Sequence, residues 1–128
     1  MYEVSIDTSF SAAHRLCGYP GICKKMHGHN WVAKVYVRSV ELDALGLVVD
    51  FHWLKETTDT ILAQIDHSIL NEHPAFRDSN PTSENISIWL YGELKKEFEG
   101  KPFWLHAIEV YETEHSSARY EGSAHSPS

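Results

Sequence analysis

Apolar and polar positions alternate along the first dozen residues. Tyr2, Val4, Ile6, Thr8, Phe10 and Ala12 take one parity, and Glu3, Ser5, Asp7, Ser9 and Ser11 take the other, which predicts a half-buried strand. Gly18-Tyr19-Pro20-Gly21 is turn chemistry. A second alternating run starts near His27 and continues to about Val40. His27, His29, Trp31, Ala33, Val35 and Val37 lie on one side of it, with Asn30, Lys34 and Arg38 opposite. The period then lengthens. Asp50 predicts an N-cap for a helix that places Phe51, Leu54, Thr58, Ile61, Leu62 and Ile65 on one face. Asn80-Pro81-Thr82-Ser83-Glu84 reads as a second helix start, with Pro in the first turn and an acid near the positive end of the dipole. The stripe Ile86, Leu90, Leu94 and Phe98 follows, and Gly100 stops it. Trp104, His106, Ile108, Val110 and Glu112 share one parity of a third strand, and a short fourth strand is predicted over residues 117–121.

Strand, strand, helix, helix, strand, strand predicts an antiparallel sheet with both helices on one face, an α+β layer. The segment between the helices, about residues 66–80, is long for a compact domain, and long ordered loops are often functional. With 128 residues the chain is expected to form one domain, residues 1–128, ending in a small polar tail over 122–128. Hydrophobic residues at 42% and charged residues at 23% argue for a folded core rather than disorder.

A net charge of −7 argues against a nucleic-acid partner, because phosphate contacts need a basic face. No apolar run reaches the roughly 20 residues of a membrane span, so no membrane partner is expected. The acid-bearing alternation at the start does not resemble a signal peptide, which predicts a cytoplasmic protein. Two cysteines are too few for a disulfide framework, whereas nine histidines raise the question of a metal.

Residues two apart in a strand point the same way, so His27 and His29 project together on the parity of Trp31 and Val35. His14 carries the parity of Phe10 and Ile6 to the end of the first strand. If the two strands pair, the three imidazoles meet at one end of the covered face, although one bulge would reverse that parity. Three imidazoles with an open fourth position describe a catalytic zinc site, and the same residues also fit ordinary core or loop histidines. Cys23 precedes His27 by four, and Lys24 and Lys25 beside it favour the thiolate. That thiolate is a candidate base, nucleophile or fourth zinc ligand. A Cys17–Cys23 disulfide is not expected without an export signal, and Cys17 reads as a spectator.

Glu112 extends an apolar parity, where a carboxylate needs a partner such as a ligand edge with adjacent N–H donors; a solvated strand end is the alternative. Asp66-His67 pairs a carboxylate with an imidazole, the usual components of a proton relay, or else a surface helix terminus. Glu84 is a helix-dipole residue or a ligand contact. Arg15, Lys24 and Lys25 are candidates for a local basic patch in an acidic chain.

Taken together, several segments resemble the 6-pyruvoyl-tetrahydropterin synthase family. They are Phe10-Ser11-Ala12-Ala13-His14-Arg15-Leu16, Cys23-x-x-x-His27-Gly28-His29-Asn30, Val49-Asp50-Phe51 with Leu54-Lys55, Asp66-His67 with Leu70-Asn71, Asn80 to Asn85, and Tyr111-Glu112-Thr113. The resemblance implies a tunnelling (T-) fold, a four-stranded antiparallel sheet with two helices on one face (ββααββ). It implies trimers stacked as a homohexamer, with sites at subunit interfaces. By resemblance His14, His27 and His29 are ligands of Zn2+, Cys23 is the proton-abstracting thiol, and Asp66 and His67 are relay partners. Glu112 anchors the pterin ring, with Thr82, Ser83 and Glu84 lining the neighbouring part of that pocket. The bacterial branch implies 6-carboxy-5,6,7,8-tetrahydropterin synthase, of queuosine and 7-deazaguanine biosynthesis. The substrate implied is 7,8-dihydroneopterin triphosphate with water, and the products are 6-carboxytetrahydropterin, acetaldehyde and triphosphate. 6-Pyruvoyl-tetrahydropterin synthase uses the same substrate and is the alternative. A zinc-containing module that binds pterin or guanine without chemistry, and a small zinc hydrolase, are the readings outside that chemistry.

Overall fold

A computed structural model describes residues 1–18 and 23–122; the predicted turn at residues 19–21 and the tail beyond Gly122 lie outside the described residues. The two alternating runs become β1 (Tyr2–His14) and β2 (His27–Ser39). They pair antiparallel with unbroken register from Tyr2↔Ser39 to His14↔His27. With no bulge between them, the parity read from sequence carries through to the end of both strands.

Asp50 caps α1 (Phe51–Leu62) by accepting the His52 N–H, and Thr82 caps α2 (Ser83–Lys95) by accepting the Asn85 N–H. Each cap satisfies a donor that the helix cannot satisfy internally. Leu54, Thr58, Leu62 and Ile65 are buried as predicted, but Phe51 is 51% exposed. All four residues of the second stripe are buried, although α2 tightens into a 3₁₀ turn over Lys96–Phe98 before Gly100 turns the chain at φ +75°. The helices pack against one another, α1 against β1 and α2 against the strands that follow. The core between the layers joins Phe10, Trp31, Val35, Leu54, Leu90 and Val110.

The α+β class holds, with one correction. The sheet has five strands, ordered β3 (Ser68–Ile69), β1, β2, β4 (Trp104–Thr113) and β5 (Ser116–Tyr120). The additional strand, β3, runs parallel to β1 within the long inter-helix segment. Two residues cannot display a period, so the sequence pattern does not reveal it.

A second correction concerns β4. Its register against β2 shifts between Tyr36 and Val37, which are opposed by Ala107 and Leu105. His106 is the extra residue, and a bulge reverses side-chain parity. Buried positions therefore change parity across the bulge, from Leu105 and Ala107 on its flanks to Ile108 and Val110 beyond it, while Trp104 and His106 are only half-buried. The predicted five-residue stripe is real only from Ile108 to Glu112. No helix among the described residues is long and apolar enough to cross a membrane.

Candidate metal centre and its surroundings

The register of β1 against β2 assembles the three imidazoles. His14 lies directly across from His27, and His29 lies across from Ala12, whose methyl group leaves room for a ring. The ring centroids are 4.6, 5.3 and 4.8 Å apart for His14–His27, His14–His29 and His27–His29, all edge to face. Their ligand atoms lie within 4.8 Å of one another. Trp31 forms the floor, edge-on to His14 at 4.9 Å and to His29 at 5.3 Å, and donates its Nε1–H to the Ala12 carbonyl. Phe10 stacks on Trp31 with ring centroids 5.9 Å apart.

The hydrogen bonds around the rings decide which nitrogens are free. His14 Nδ1 faces the Pro81 carbonyl at 2.8 Å, and His27 Nδ1 faces the Lys25 carbonyl at 3.1 Å. A carbonyl only accepts, so each Nδ1 carries the proton and donates it. In the neutral rings both Nε2 atoms then present lone pairs, yet they stand 3.1 Å apart. His29 Nε2 is buried with no hydrogen-bond partner. Lone pairs converging in this way call for a cation between them. Nitrogen ligands on a tetrahedral zinc at about 2.0–2.1 Å are separated by about 3.3–3.4 Å, close to the spacing here. Burial holds the His29 imidazole below its ordinary pKa against the opposing pull of Glu112, and His14 and His27 push the same way as burial. The neutral ring is the form that ligates metal.

Glu112 completes the cluster. Its Oε1 is 3.4 Å from His14 Nε2, and its Oε2 is 3.9 Å from His29 Nε2. The register of β4 against β5 shifts between Tyr111 and Thr113, so Glu112 is the bulged residue there. The carboxylate, on the face of Ile108 and Val110, remains 34% exposed. It therefore faces the imidazoles and still has an open side. The N-terminus of α2 lies alongside, because the Pro81 carbonyl holding His14 immediately precedes the Thr82 cap. Thr82 and Ser83 are half-buried and Glu84 is exposed. The Thr82 hydroxyl accepts from Asn85, so its first role is in the helix.

The thiol differs from the sequence reading. Cys23 is not free but bonded to Cys17 in a disulfide, and the described residues contain no free cysteine. Cys17 is thus no spectator. The pairing arises because β1 and β2 continue toward each other past His14 and His27, bringing Cys17 and Cys23 together as an isolated antiparallel bridge. The expectation of a free Cys23 thiol and an uninvolved Cys17 is thereby corrected.

Asp66 and His67 are held at the other edge of β1. An Asp66 carboxylate oxygen accepts the Ser11 N–H at 2.9 Å, and the His67 N–H bonds to the Ser11 carbonyl. His67 takes φ +55°, a left-handed conformation uncommon outside Gly. Its ring lies 3.7 Å from Asp66 and is 82% exposed. It borders an open groove of about 400 Å³ lined also by Ser11, Ala13, Gly28, His29 and Asn30. Among the described residues no hydrogen bond or ring contact joins His67 to the three imidazoles. A single chain brings Glu112 to the histidines, while Asp66 and His67 stay outside that cluster, His67 only sharing the groove with His29.

Two positioning residues escaped the sequence reading. Asn71 accepts the Arg15 N–H and donates to the Arg15 carbonyl, and Asn80 does the same for Cys17. Each side-chain amide acts as a one-residue strand partner and seats the backbone just beyond His14. Asn71 and Asn80 were visible in the motifs, but nothing local to them indicates a partner 56 or 63 residues away.

The family model described as 6-pyruvoyl tetrahydropterin synthase matches residues 3–123. The chain is 37% identical over 132 aligned positions to 6-carboxy-5,6,7,8-tetrahydropterin synthase from Synechocystis sp., covering 99% of this chain and 98% of that protein. It is 41% identical over 91 positions to a putative enzyme of the same name from Archaeoglobus fulgidus, covering 71% and 74%. Among solved structures, 6-pyruvoyl tetrahydropterin synthase from Caenorhabditis elegans superposes with a TM-score of 0.80 at 30% identity, over 96% of this chain and 98% of that one. A family match spanning almost every residue, a shared fold and the clustered histidines lead to one assignment: the chain belongs to the 6-pyruvoyl tetrahydropterin synthase family.

Proposed function

We propose that this chain is a zinc-dependent carbon–carbon lyase of the 6-carboxy-5,6,7,8-tetrahydropterin synthase type. It converts 7,8-dihydroneopterin triphosphate and water to 6-carboxytetrahydropterin, acetaldehyde and triphosphate, in the cytoplasm and for 7-deazaguanine and queuosine synthesis. The observation that carries the reading is the convergence of three imidazole nitrogens beside an open-sided carboxylate, in a chain with 37% identity to a synthase of that name along its whole length.

His14, His27 and His29 hold the metal, which when bound supplies Lewis acidity toward substrate oxygens. The Glu112 carboxylate accepts the adjacent N–H groups of the pterin edge, with Thr82, Ser83 and Glu84 lining the approach. Cys23, as a reduced thiolate, takes a proton from the side chain, and His67, oriented by Asp66, moves another. Arg15, Lys24 and Lys25 are exposed and stand beside the ligands in sequence, positioned to meet the triphosphate. Because His67 is exposed and lies outside the imidazole cluster, this reading has it serve a site in a neighbouring copy, within a homohexamer built as a dimer of trimers.

A second reading, 6-pyruvoyl-tetrahydropterin synthase activity on the same substrate, is favoured by the C. elegans likeness. Mass analysis of products from reduced, zinc-loaded protein separates them. Carboxypterin with acetaldehyde supports the proposal, and a pyruvoyl product supports the second reading. Unchanged substrate that remains bound would leave only a binding module.

A further inference from the structure

We infer that Cys17 and Cys23 form a reversible redox site that switches the proposed thiol chemistry off when oxidised and on when reduced. The inference rests on the role given to Cys23 under the proposed function. The bridge lies just past the ends of the two strands that carry the imidazoles: Cys17 is three residues beyond His14, and Cys23 is four residues before His27. A sulfur committed to an S–S bond has no thiolate to accept a proton. A permanent bridge would therefore leave the three-histidine site without its base.

Three observations favour a switch over a staple. Cys23 is exposed and Cys17 only half-buried, so a small thiol can reach the bond. The hairpin is held independently of the sulfurs, by the Asn80 amide on both backbone groups of Cys17 and by the Lys24 N–H on the Leu16 carbonyl at 2.8 Å. The closed loop is also short, and short loops gain least from cross-linking. Reduction thus changes the chemistry of Cys23 while the hairpin stays seated.

The exchange is balanced with a dithiol reductant. One thiolate attacks a bridge sulfur and forms a mixed disulfide, and the second thiol displaces it. The protein gains two hydrogens as two thiols, and the reductant leaves as its own cyclic disulfide. In the opposite direction an azo oxidant such as diamide takes up the two hydrogens and becomes the hydrazine.

The test compares turnover of 7,8-dihydroneopterin triphosphate by the zinc-loaded, full-length protein after diamide and after dithiothreitol. Intact mass confirms that the oxidised form is two hydrogens lighter. The oxidised protein is expected to be at least about 100-fold slower, the lower range of general-base contributions, and dithiothreitol restores it. Cys17→Ser, which cannot form the bridge, should match the reduced native rate and recover no further activity from dithiothreitol. Equal rates for bridged and reduced protein would overturn the switch and leave the synthase reading standing. So would recovery by Cys17→Ser as large as that of the native chain. No turnover in either state would sink the synthase reading and the switch with it.

Discussion

Removing one imidazole should abolish a thermal response to zinc that the intact cluster gives. His27 is the residue to remove, because it is exposed and its loss opens no cavity in the core. The Nε2 atoms of His14 and His27 face each other at 3.1 Å, and His29 Nε2 has no hydrogen-bond partner. Zinc binding relieves all three at once, and the unfolded chain does not preassemble them. At free zinc 100 times the dissociation constant, binding to the native state alone adds about 2.7 kcal/mol. A chain of 128 residues at about 2.1 cal/mol/K per residue has an unfolding entropy of about 0.27 kcal/mol/K. The melting temperature should therefore rise by about 10 °C. The assay is calorimetry on chelator-stripped protein with and without zinc. His27→Ala should melt near the native apo temperature and shift by no more than about 2 °C in the same zinc, having lost one of three ligands. An equal shift in His27→Ala would refute the argument, because the zinc would then be bound elsewhere.

Glu112→Gln keeps the size and loses the charge. It should retain the zinc-dependent shift yet weaken pterin binding by about 10–100-fold, the worth of one hydrogen bond to a charged group, as read by ligand fluorescence titration. If His67 serves a neighbouring copy, His67→Ala and Cys23→Ala chains, each inactive alone, should recover about a quarter of native turnover when refolded together in equal amounts; no recovery would place both residues in one chain's site. Tyr36 donates to Glu109 at 2.8 Å, and burial, then this bond, raises its phenol to about 12. The unfolded phenol ionises near 10, so the stabilisation is complete below pH 10 and is lost as pH rises toward 12. Alkaline denaturation should show this loss in the native chain and not in Tyr36→Phe. Asn80→Ala frees both backbone groups of Cys17. It should lower kcat more than it raises KM, and Asn80→Asp, which keeps the acceptor, should recover part of the loss.

The elements and the clustering of the three imidazoles were legible because both depend on short-range periodicity. Alternation from Tyr2 to Ala12 and from His27 to Val37 is a property of the strand itself, and His14, His27 and His29 inherit their direction from it. Asp50 and Thr82 announce their helices because a cap acts within three residues. Glu112 lies toward the imidazoles with Ile108 and Val110, whereas Trp104 and His106 do not share that face, because the bulge at His106 separates them.

What escaped prediction depends on pairing between distant segments. Bulges arise from one strand's register against another, so no pattern within β4 discloses them. The two-residue β3 exists only because β1 offers an open edge. The Cys17–Cys23 bond follows from the convergence of the ends of β1 and β2, and Asn71 and Asn80 act only once the inter-helix segment folds back onto that hairpin. Which residues face the core is thus written locally, in the two- and 3.6-residue repeats of the backbone. Which residues meet across the site is decided by register, and register is a relation between strands that exists only after the chain has folded.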